Sequence, residues 1–142
     1  MKVIFLTFLT TSILLYVSCN KKSSTISTDE MVDTIAAILK YQGNFQKGPY
    51  GTVNGSAMIY LTNGKWLLKL NSFTTTNGPD LKVYLSKEIQ PLNFIKLADL
   101  KSTSGNQVYY FQGNPDFKQY KYVLIHCEQF NHLFGFAELM MP

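Results

Sequence analysis

Apolar residues fill the stretch from Val3 to Val17, broken only by threonines and a serine, with Lys2 before it and Asn20-Lys21-Lys22 after it. A charged start and an apolar run of about fifteen residues form the pattern of a secretory signal. A membrane span needs about 20 apolar residues, and this run ends too early for one. Lys21 to Thr28 is polar and rich in Ser, Thr and Lys, as a flexible tether is. Met31, Ile35, Ile38 and Leu39 then recur at helical spacing, Ser27 and Glu30 stand in capping-box relation, and Gly43 offers a stop. Asp29 and Glu30 suit the positive end of a helix. The spacing predicts a helix of about three turns over Thr28 to Tyr41, its apolar stripe packed on the domain that follows.

Beyond Gly43 the period changes to two. Thr52 to Leu61 alternates, with Val53, Gly55, Ala57, Ile59 and Leu61 on one face. Asn63-Gly64 is a hairpin signal, because both central positions of a type I′ turn need positive φ, and Trp66 to Leu70 returns as the partner. After the turn Asn77-Gly78-Pro79-Asp80, Leu81, Val83 and Leu85 alternate with Lys82, Tyr84 and Ser86. Ile95 to Leu100 and Gln107 to Phe111 read as short strands, and Asn114-Pro115-Asp116 as a turn. Tyr122 to Phe130 is the most apolar strand, turned by Asn131-His132 into Leu133 to Leu139. About seven to eight short strands with regular turn signals predict an all-β fold, an antiparallel β-sandwich or partly open barrel. The chain thus divides into a signal peptide at 1–18, a tether and short helix at 19–43, and a β domain at 44–142.

Composition narrows the function classes. A chain of 142 residues holds one ordinary domain, and 46% hydrophobic residues exclude wholesale disorder. The charge of +4 is mild, every basic residue is lysine, and no basic run exceeds two residues. Without arginine there is no bidentate reader of phosphate or guanine, so nucleic acid is a poor partner. The 2 cysteines make neither a disulfide framework nor a zinc-finger spacing. No glycine-rich phosphate loop, acid pair or serine-histidine-acid set is present, which disfavours nucleotide binding and hydrolysis.

Ser18-Cys19, directly after the apolar run, resembles a bacterial lipoprotein cleavage box, with Tyr16 where leucine is usual. The resemblance implies cleavage before Cys19 and acylation of its thiol; a conventional signal peptide with an incidental Cys19 is the alternative. One acyl chain anchors marginally and two or more anchor stably, so the three chains of a lipoprotein would hold the protein on a membrane. Asn20 is not the aspartate that retains lipoproteins at the inner membrane, which points to the outer membrane of a cell envelope.

The last hundred residues carry a second likeness. Asn77-Gly78-Pro79-Asp80-Leu81-Lys82-Val83-Tyr84-Leu85-Ser86, with Phe73 ahead of it, resembles the signature of the DM-thirteen electron-transfer domain. Leu100-Lys101 with Gly105-Asn106-Gln107 and Tyr109 matches the second block of that family. Val123-Leu124-Ile125-His126-Cys127 with Phe130, Phe134-Gly135, Ala137 and Leu139 matches the third. The resemblance covers about Asn44 to Leu139. It implies an all-β extracytoplasmic module with one near-invariant cysteine, here Cys127, working as a naked thiol or through a prosthetic group such as haem. It further implies a redox partner protein, since such modules are joined to DOMON and b-type cytochrome domains or stand alone as lipoproteins. The chain departs from the family in three places. His126 stands where tryptophan is usual, Glu128-Gln129 replaces a basic pair, and Tyr50-Gly51 falls where a histidine commonly precedes the early strand.

With Cys19 acylated, Cys127 is the only thiol left, and it pairs between chains, stays buried or reacts. Alternation puts it on one face with Val123 and Ile125, near Phe134 or Phe136 across the hairpin, while His126 and Glu128 point the other way. An aromatic, apolar surround makes a thiol inert, and free cysteine is often buried for packing alone. His126 reads as a packing residue and His132 as a solvated turn residue, and their spacing with Cys127 gives no support to metal ligation. Asp80 reads as a cap for backbone N–H groups of its turn, and the segment has too few carboxylates for calcium. Trp66, Tyr109, Tyr110, Phe111, Tyr120 and Tyr122 suit core and cross-strand pairs, or else a carbohydrate or quinone surface. Two function classes stand: an accessory redox module centred on Cys127, and a binding or structural module whose loops, such as Thr74 to Asp80 with its Asn77-Gly78-Pro79-Asp80 motif or Ser102 to Gln107, make the contact.

Overall fold

The computed structural model describes residues 28–32 and 36–142, so the signal peptide, Cys19 and most of the tether lie outside the described residues. The described chain is all-β. It comprises β1 (Thr28–Asp29), β2 (Ala37–Lys47), β3 (Val53–Thr62), β4 (Lys65–Thr75), β5 (Leu81–Ser86), β6 (Phe94–Asp99), β7 (Ser104–Phe111), β8 (Tyr122–Cys127) and β9 (His132–Glu138). They form a single 9-stranded sheet in the order β1-β7-β4-β3-β2-β9-β8-β5-β6. Every pairing is antiparallel except β1 with β7.

The sheet turns on β2. Its first part, Ala37 to Asn44, pairs with β3, and its last three residues, Phe45 to Lys47, pair with β9. A register shift at Leu39/Tyr41 marks a bulge, which bends and twists a strand. The result is an open, curled half-barrel whose two halves close on one core. Ala57, Ile59, Leu68, Leu70 and Phe73 from one half meet Val83, Leu85, Val123, Ile125 and Ala137 from the other, all fully buried. Burial of each large aliphatic or aromatic side chain contributes about 1.5–3 kcal/mol.

Local sequence and long-range pairing agree through most of the β domain. Asn63 and Gly64 both take positive φ, 49° and 74°, as the turn between β3 and β4 requires. The alternation of β5 is matched in the structure, with Leu81, Val83 and Leu85 facing the main core. All six residues of β5 are buried, because Tyr84, Leu124 and Leu133 build a second, smaller core on the outer face.

The helix expected over Thr28 to Tyr41 is corrected: its described residues include strand β1 and the first half of β2, and residues 33–35 lie outside the description. A helix of this length is marginal alone, and helix propensity is a weak prior. Ladder bonds to β3 and burial decide instead. Glu30 caps no helix. Its carboxylate accepts the Val108 N–H at 2.6 Å and the Lys101 ammonium at 2.8 Å. β2 also runs without a break through residue 43, where the sequence pattern divides tether from domain.

Candidate functional site

Cys127 ends β8 on the inner face, opposite Leu81 of β5 and His132 of β9. Among the described residues it is the free cysteine, and its exposure is 0%. It lies in the main core with Leu81, Ile125 and Phe134. Phe134 lies close to two glycines. A methyl group at Gly51 would come within 2.5 Å of the ring, and one at Gly78 within 2.9 Å of both the ring and Leu81. The Asn77–Asp80 turn is therefore part of a hydrocarbon seal. It is held from both sides: Asn77 Oδ1 accepts the Gly78 N–H at 2.9 Å, and the Asp80 carbonyl accepts the Glu128 N–H at 3.0 Å.

The Asp80 carboxylate makes an ion pair. It meets the Lys82 ammonium at 2.6 Å, and Asp99 meets the same ammonium at 2.8 Å. These two hydrogen bonds, Asp80 first, hold Lys82 protonated well above the ordinary lysine range. Beside them Tyr84 donates to Glu128 at 2.6 Å, and Lys96 reaches Glu128 at 3.1 Å. Burial, followed by the Glu128 bond, pushes the Tyr84 phenol well above its usual range. The Tyr84 and Lys96 bonds hold the Glu128 carboxyl below its usual range.

His126 faces this outer network, as alternation predicts. The bulge between Ile125 and His126 leaves it opposite Leu133, and its ring stacks on Tyr84 at 5.4 Å. It is 4% exposed, and its Nδ1 has no hydrogen-bond partner. Burial lowers its pKa, against the Asn131 side chain and the Glu128 charge. His132 is not the solvated turn residue expected. It opens β9, half-buried, with its ring parallel to Tyr50 at 3.7 Å and 2°. The turn occupies residues 128–131, and Asn131 takes φ of 53°. His132, rather than His126, is thus the histidine opposite Cys127. The signal for that register was Asn131, a residue that tolerates left-handed backbone and so closes the turn.

The remaining aromatics divide between core and surface. Trp66 donates to Asn114 Oδ1 at 3.0 Å and packs on Phe117 at 4.8 Å. Its other neighbours, Tyr110 and Phe111 with Gly64 and Gly113, border an open cleft of about 640 Å³. This cleft lies at the far end of β4 and β7 from Cys127.

Among the described residues no group of three His, Cys, Asp or Glu side chains could hold a metal ion. A haem or other prosthetic group on Cys127 does not fit these surroundings. The sulfur is wholly covered, and even a methyl at Gly51 or Gly78 would overlap its neighbours. Fold and site together define a small all-β module built around one sealed thiol. The chain belongs to the electron transfer DM13 family, whose model matches residues 44–139. No curated protein and no solved structure matches it.

Proposed function

We propose that the protein is an extracytoplasmic lipoprotein, held on the outer membrane of a cell envelope by acylated Cys19, with an accessory role in redox or electron transfer through Cys127 and a redox partner protein. The family match over residues 44–139 is the observation that supports the redox or electron-transfer role. Ser18-Cys19 after the apolar run supports the anchor. Since the sulfur is fully covered, exchange with a partner needs local opening of the core around Cys127, which holds Leu81, its ladder partner, and Phe134.

That requirement gives the test. Local opening exposes a group at a free energy below that of global unfolding. On the redox reading, an alkylating reagent labels Cys127 of the native protein faster than global unfolding allows, and Phe134→Ala accelerates labelling severalfold. Labelling only at the rate of global unfolding would reject it. The second reading, a binding or structural module whose Cys127 is a core residue, is favoured by the zero exposure of the sulfur. It predicts that Cys127→Ser loses stability and keeps partner affinity.

A further inference from the structure

The chain enters the fold twice, at opposite ends of the sheet. Thr28 and Asp29 lie along Gly105 and Asn106 at the start of β7. Asn106 donates to Asp29 at 2.6 Å, the Glu30 N–H donates to the Asn106 carbonyl at 2.9 Å, and the Glu30 carboxylate holds Lys101 and the Val108 N–H. A side chain at Gly105 would overlap the Thr28 carbonyl, so the strap lies directly on the backbone. Val32 then packs on Leu67 and Val108 on the outer face. β2 starts with Ala37 opposite Thr62, beside the Asn63-Gly64 turn. That is the other end of the sheet: β7 runs from Gly105 beside Thr28 to Phe111 beside Trp66. Six strand residues separate the two ends by about 20 Å.

We propose that this strap makes the Gly105 end, which also carries Asn77–Asp80 and Cys127, the end nearest the membrane, and turns the Trp66–Tyr110–Phe111 cleft outward. The inference rests on the acylation of Cys19 and extends it to orientation. Taken as the flexible tether its composition predicts, a leash from Cys19 to Thr28 would have a root-mean-square length of about 17 Å, less than the length of the sheet, so turning end for end would stretch it towards its limit of about 30 Å. Without the strap the leash would join the sheet at Ala37, about eighteen residues from Cys19, and its root-mean-square length of about 24 Å would exceed the length of the sheet, so neither end would be favoured.

Trp66 is the only tryptophan in the chain and so reports on the far end without labelling. The full chain is reconstituted in phosphatidylcholine vesicles containing a phospholipid with a headgroup nitroxide, and fluorescence quenching is read. Trp66 of the wild type is expected to be quenched weakly, and Tyr50→Trp in a Trp66→Phe background, at the near end, severalfold more strongly. Asp29→Ala with Glu30→Ala should remove most of that difference, with folding checked by circular dichroism. A second variant leaves the fold untouched: about twenty Gly/Ser residues inserted after Ser24 should erase the difference. Equal quenching of the two wild-type-strap reporters, or a difference unmoved by both changes, would overturn the proposal. If mass spectrometry finds no acyl chains on Cys19, the anchoring reading fails separately. A maleimide phospholipid coupled to Cys19, with Cys127 shielded in the core, then decides the orientation by the same comparison.

Discussion

Phe134 leaves no room for a side chain on either glycine it touches, and the two are not equivalent. At Gly51 an added methyl meets the body of the ring, whereas at Gly78 it meets the ring tip and a leucine end that can shift. Gly51→Ala is therefore expected to lower stability by about 1–3 kcal/mol, with Gly78→Ala well below that, read from urea midpoints. Phe134→Ala should cost about 3–5 kcal/mol. His126 supplies a pH dependence. Its neighbours are Lys82, directly opposite, and Tyr84 from β5, Glu128 and Asn131 from the turn, and His132 from β9. Its folded pKa lies below the ordinary 6.5, so the unfolded chain binds more protons. Stability is then full above the unfolded value and falls as pH drops below it, by at most about 1.4 kcal/mol per pH unit from this group. His126→Phe should flatten that slope between neutral and mildly acid pH. At single positions the sequence was readable where neighbours in the chain decide, as in the Asn77–Asp80 turn. It was silent where partners come from afar: nothing near Asp80 indicates that Asp99 shares Lys82 with it.

β3, with a period of two and a marked turn, was legible because the local pattern and the final burial coincide, whereas β4 buries both Leu67 and Leu68 and β5 is buried on both faces. The Thr28–Tyr41 segment shows the converse. Its apolar spacing satisfies a helix, but in the extended strand Tyr41 packs against the main core and the backbone pairs with β3. β8 stands where the pattern predicts a strand but ends at Cys127 and not at Phe130, which is 55% exposed and belongs to the turn. For β1 the measurable consequence is in Glu30. The Lys101 hydrogen bond, then the Val108 N–H, hold its carboxyl below the ordinary 4.5. Its contribution is present above that value and is lost as pH falls through the lowered one. Glu30→Ala should speed hydrogen exchange at the Val108 amide and leave that of Ile125, in the core of β8, unchanged.

One strand, β2, belongs to both halves of the sheet, so neither half has a complete core without the other. Unfolding followed by Trp66 fluorescence and by far-ultraviolet circular dichroism is expected to give coincident curves; separated midpoints would show that the halves melt independently. Both sheet edges are guarded. β1 lies along β7, and β6 carries a bulge and Lys96, features that discourage further strand pairing. The architecture was foreseeable as all-β and partly open, while the strand order was not, because β2 pairs with strands far away on either side. The strap also settles how the molecule meets mechanical force. A pull arriving from the N-terminal side loads Thr28 and Glu30 before it reaches Ala37. Peeling them away frees about 30 Å of chain that already spans about 20 Å, a net slack of about 10 Å, so the tug is spent on a replaceable fastening before any core strand feels tension.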